Sequence, residues 1–64
     1  MKMIDLGDFR ERAEAMGDFD YVEAEGPTTL RFDLAGDSAW VQSSGRIEGP
    51  KFITRILESA IKGM

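Results

Sequence analysis

The chain has 64 residues, twelve acidic against eight basic side chains, a net charge of −4, and neither cysteine nor histidine. That length allows one small domain with a thin core, which a partner would help to stabilise. The missing residue types exclude a disulfide framework and a thiolate metal site, and remove the commonest general base and metal ligand. No apolar run is long enough to span a bilayer, and the N-terminus lacks the charged and apolar regions of a secretory signal, so the expected setting is cytoplasmic.

Residues 5–17 read as a first helix. Asp5 suits the N-cap, Asp8 places a carboxylate in the positive first turn, and Ile4 with Phe9 occupies the positions of a hydrophobic staple. Leu6, Phe9, Ala13 and Met16 recur at spacings of 3, 4 and 3 and form one apolar stripe, with Gly17 as the stop. On the opposite side Glu11, Glu14 and Asp18 make an acidic stripe, flanked by Arg10 and Arg12.

Three strands follow. In Asp20–Glu25, Val22 and Ala24 share one face while Tyr21, Glu23 and Glu25 share the other; Gly26-Pro27-Thr28 supplies a loop. Leu30, Phe32 and Leu34 then alternate with Thr29, Arg31 and Asp33, the period of a half-buried strand. Matching apolar residues across the loop pairs Glu25 with Thr29, Ala24 with Leu30, Glu23 with Arg31, Val22 with Phe32 and Tyr21 with Asp33. Gly36-Asp37 offers a two-residue turn into Ala39-Trp40-Val41-Gln42, which would pair Leu34 with Ala39, Asp33 with Trp40, Phe32 with Val41 and Arg31 with Gln42. On that pairing Tyr21 and Trp40 flank Asp33 in one row of the outward face, with Glu23 and Glu25 beside them.

Ser43-Ser44-Gly45-Arg46 is a connection, after which Ile47 would lengthen the third strand beyond a bend. Gly49-Pro50 opens a last helix, with the proline in its first turn. Phe52, Ile53, Ile56, Leu57, Ala60 and Ile61 form its broad apolar face, and Lys51, Arg55, Glu58 and Lys62 its wet side, before Gly63 ends it. The expected architecture is α+β, α-β-β-β-α: a three-stranded antiparallel meander with both helices packed on its apolar face, in a single domain over residues 1–64.

No catalytic or cofactor motif is present, and no enzymatic activity is expected. Asp37-Ser38 resembles the phosphopantetheine site of acyl carrier proteins, but lies between two strand patterns where that family places a helix. Asp18, Asp20, Asp33 and Asp37 lack the spacing of a calcium loop, and the Ser43–Arg46 loop lacks the lysine of a phosphate-binding loop. A nucleophilic serine would have no adjacent base. Charge is what the sequence does display. Residues 1–37 carry ten acidic and four basic side chains, and residues 38–64 two acidic and four basic, so one side of the domain is strongly negative. Such a side repels nucleic-acid backbones and complements a basic groove on a protein. The candidate binding residues are Glu11, Glu14 and Asp18 on the helix and Glu23, Glu25 and Asp33 on the sheet, with Tyr21 and Trp40 as aromatic anchors.

A single tiny domain without cysteine or histidine, strongly acidic and of mixed α/β pattern, resembles the small acidic anti-CRISPR proteins of phages and mobile elements, in particular inhibitors of type I systems such as type I-C. The resemblance spans the whole chain and implies an inhibitor that docks on a Cas or Cascade protein by imitating the charge of DNA; a monomer or weak homodimer is expected. Alternatives are a small dimeric structural or regulatory module, antitoxin-like or from phage assembly, that associates through Trp40, and an acyl-carrier-like protein. The inhibitor reading calls for no cofactor, metal or membrane, whereas the acyl-carrier reading would require phosphopantetheine on Ser38.

Overall fold

A computed structural model describes residues 3–63. Two helices, α1 (Leu6–Met16) and α2 (Lys51–Lys62), enclose in sequence four strands: β1 (Tyr21–Ala24), β2 (Thr29–Leu34), β3 (Asp37–Gln42) and β4 (Ile47–Glu48). The strands lie in the order β1-β2-β3-β4, each antiparallel to its neighbour. The expected α+β meander is therefore present, with a fourth strand where a bend in the third was expected. Gln42 N–H donates to the Arg46 carbonyl at 2.8 Å and Gly45 N–H to the Gln42 carbonyl at 2.9 Å, so the Ser43–Arg46 loop closes a hairpin.

Both helices lie on one face of the sheet. Phe9 and Ala13 of α1, Leu30 and Phe32 of β2, Ala39 and Val41 of β3, and Ile53, Leu57 and Ala60 of α2 form one buried cluster. Phe32 sits at its centre: the Phe9 ring meets it edge-on at 5.9 Å and Phe19 packs at 5.0 Å. The carboxylate of Asp5 caps α1 by accepting from the amides of Gly7 at 2.9 Å and Asp8 at 3.3 Å. Gly17 ends α1 in an extended conformation, where a side chain would press on Ile56 and Phe19. At the far end Arg12 spans the two helices, donating to the Gly63 carbonyl at 2.9 Å while pairing with Asp8 at 3.1 Å. Two residues assigned to apolar stripes are left largely outside the core: Met16 and Phe52 are exposed, as is Ala24 of β1.

The β1–β2 register is the expected one, from Tyr21 opposite Asp33 to Ala24 opposite Leu30. The β2–β3 register is not. Leu34 faces Asp37, Asp33 faces Ser38, Phe32 faces Ala39, Arg31 faces Trp40 and Leu30 faces Val41, a slip of two residues from the expected pairing. The turn is Ala35-Gly36 rather than Gly36-Asp37, with φ of +54° and +85°, the pair of positive values of a type I′ hairpin. A two-residue slip leaves every side chain on its expected face, so the apolar pattern is satisfied either way. The observed register gains the Thr29–Gln42 pair and a bond from Ser43 N–H to the Thr28 carbonyl at 2.9 Å. The Asp20 carboxylate adds to this by accepting the Ala35 amide at 2.9 Å.

Candidate functional site

The face of the sheet away from the helices carries most of the candidate residues. With the register fixed, β2 places Arg31 at the centre of that face, opposite Glu23 on one side and Trp40 on the other. Beyond Trp40 comes Glu48 of β4. The row above runs from Tyr21 through Asp33 to Ser38. The expected row of Tyr21, Asp33 and Trp40 is therefore replaced by two rows, because the turn lies one residue earlier. Trp40 and Tyr21 are diagonal neighbours across Arg31 and Asp33.

Arg31 organises the carboxylates. Its Nη1 lies 3.2 Å from Glu25, and its Nη2 lies 3.2 Å from Asp33 and 3.9 Å from Glu23. Burial of the guanidinium opposes its charge, yet Asp33, Glu25 and Glu23 together outweigh this and hold the Arg31 pKa above the ordinary arginine value. Its plane also approaches the face of Tyr21, with 5.9 Å between the guanidinium carbon and the ring centre. Trp40 Nε1 donates to the other Glu25 oxygen at 3.1 Å, and Ser38 Oγ to the other Asp33 oxygen at 2.6 Å. Three carboxylates thus share one guanidinium, and the group retains a net negative charge in fixed geometry. Tyr21 is 50% exposed and Trp40 37% exposed, so both rings are open to solvent beside it. At the β4 edge Arg46 pairs with Glu48 at 2.6 Å.

The helical candidates form a separate group. Glu11, Glu14 and Asp18 are exposed, and α1 lies against the opposite side of the sheet, so they do not merge with Glu23, Glu25 and Asp33. Glu14 pairs with Arg10 at 3.5 Å, whereas Glu11 and Asp18 have no ion-pair partner among the described residues. Sequence reasoning placed Arg31 on the outward face but missed its central role, along with the parts of Ser38 and Glu48. The signal was there: Arg31 is the one cation between residues 21 and 34, among the outward-facing acids Glu23, Glu25 and Asp33.

Elsewhere a cleft of about 380 Å³ lies between the β3–β4 loop and the end of α2, lined by Gly45, Ile47, Glu58, Ile61 and Lys62. Among the described residues no group of three or more acidic side chains is spaced to hold a metal ion, and no helix is long and apolar enough to cross a membrane. No protein-family model, curated protein or solved structure matches the chain.

Proposed function

We propose that the protein is an inhibitory binder of the anti-CRISPR kind, which sets the outward face of its sheet into the basic nucleic-acid path of a Cas or Cascade protein. The observation that carries this reading is the net-negative, pre-ordered group of Glu23, Glu25 and Asp33 around Arg31, with Tyr21 and Trp40 exposed beside it. Carboxylates and phosphates both accept charge-assisted hydrogen bonds from arginine and lysine, so a groove built for one admits the other. Ordering by Arg31 reduces the conformational entropy that binding must remove, and the two rings supply apolar area within a charged surround. The negative group would also speed encounter with a cationic groove. Self-association through this face would oppose like charges, which favours a different, cationic partner. The proposed place of action is the cytoplasm of the host cell.

The test is competition with target DNA for a purified type I Cascade complex over a range of salt concentrations. The protein should displace DNA, and its affinity should fall steeply as salt rises. The double variant Glu23→Lys/Glu25→Lys should lose this competition, while Glu11→Lys/Glu14→Lys, on the other layer, should retain most of it. Competition that is indifferent to salt and to both double variants would refute the reading.

A further inference from the structure

We propose that the open edge of β1 receives an extended, lysine- or arginine-rich segment of the partner protein, which joins the sheet as a fifth strand. This rests on the reading of a cationic partner given above and goes beyond it by assigning the mode of recognition and the line of contact.

The backbone geometry comes first. Glu25 N–H donates to the Thr29 carbonyl at 2.9 Å, which marks Glu25–Thr29 as a hydrogen-bonded pair. Because such pairs alternate along an antiparallel ladder, Tyr21 and Glu23 also direct their backbone groups toward β2. The amides and carbonyls of Val22 and Ala24 therefore point away from the sheet. One of them already draws a donor: Arg10 Nη2 reaches the Val22 carbonyl at 3.3 Å. Among the described residues no strand covers this edge, since β1 is terminal in the sheet order. The opposite edge is unlike it, because β4 has two residues and gives way at once to Gly49-Pro50 and α2.

Charge then selects the occupant. Glu23 and Glu25 stand exposed along the outward side of the β1 edge, and from the helix side Glu14 accompanies Arg10 at 3.5 Å. An added strand would place alternate side chains directly across from Glu23 and its neighbours, where opposite charges attract and like charges repel. A second copy of this chain would bring two acidic β1 strands together, so the edge favours a basic segment over self-pairing. Main-chain bonds would supply affinity and the acidic side chains selectivity, as in other strand-addition complexes.

The experiment uses a synthetic peptide of alternating lysine and valine, with binding followed by calorimetry and by amide hydrogen exchange. In the saturated complex, exchange at the Val22 and Ala24 amides should slow. Ala24→Pro removes an outward N–H on an edge strand, where proline is tolerated, and should bind at least about tenfold more weakly while melting near the wild-type temperature. Unchanged exchange at both amides, or equal affinity of Ala24→Pro, would overturn the proposal. Should Ala24→Pro fail to fold, the wild-type protein is titrated with the same peptide N-methylated at alternate amides; loss of binding supports strand addition and equal binding overturns it. Salt-sensitive binding that survives both backbone changes would remove strand addition and leave the cationic-partner reading standing. Failure of the wild-type protein to bind the peptide at any salt concentration would count against both.

Discussion

Replacing Ala35 with asparagine should stabilise the protein, and the size of the effect follows from the hairpin turn. Ala35 has φ +54°, within the left-handed region, and its side chain is exposed, so no packing is at stake. A non-glycine residue held there costs roughly 1–2 kcal/mol, and asparagine relieves part of this through local side-chain hydrogen bonding. Recovering about half gives about 0.5–1 kcal/mol. For a domain of this size that is a rise in Tm of about 2–8 °C. The companion variant Gly36→Ala should have the opposite effect: at φ +85° an added Cβ meets nothing within 4 Å, so the loss is purely conformational. It should destabilise by about 1–2 kcal/mol. Thermal melts followed by far-ultraviolet circular dichroism and by Trp40 fluorescence measure both. A lower Tm for Ala35→Asn would refute the Ala35-Gly36 turn, and with it the register that sets Arg31 between Glu23 and Trp40.

Three further outcomes follow from residues already described. Leu57, fully buried between the helices and sheet, should cost about 2–5 kcal/mol when cut to alanine, a large share of the margin of so short a chain, and urea titration should show the midpoint collapse. Gly49→Ala would bring a Cβ to 2.6 Å from that of Ala39 at a φ of +145°; at about 1–3 kcal/mol for overpacking alone, its Tm should fall well below that of the wild-type protein. Arg31→Gln leaves Glu23, Glu25 and Asp33 facing one another, so its Tm should rise with added salt where that of the wild-type protein does not, as salt screens repulsion in one and attraction in the other. Because the Arg31 pKa is raised in the folded state, the stabilisation from its charge is fully present below the ordinary arginine range and is lost only as pH climbs through the raised value.

Much of the fold was legible where a residue type has one local use. Asp5 and Gly17 bounded α1, and apolar matching set the β1–β2 register, because a one-residue slip there would bury Glu23. The same reasoning could not set the β2–β3 register. Period-2 patterns are blind to a slip of two, and Ala-Gly is a poorer turn signal than its observed use implies; Asp20, fifteen residues from Ala35, helps to hold it. Strand β4 was hidden because two residues carry no period. The acidic candidates were found as types, but their division between two layers depends on which side of the sheet α1 packs, which no local pattern records. Arg31 was legible as a face residue and not as a hub, because its three partners are drawn together by side-chain reach rather than by spacing.

The two-residue length of β4 has a consequence for how large an assembly can grow. Polymerisation through a sheet requires two growth sites per molecule, one to receive and one to be received. Because β4 covers only Trp40 and Val41 of β3 before Gly49-Pro50 leads into α2, β1 is the longer of the two edges among the described residues, and a single added strand would cap it. The strand addition proposed above is therefore expected to give a one-to-one complex, which sedimentation of the peptide-bound protein would check.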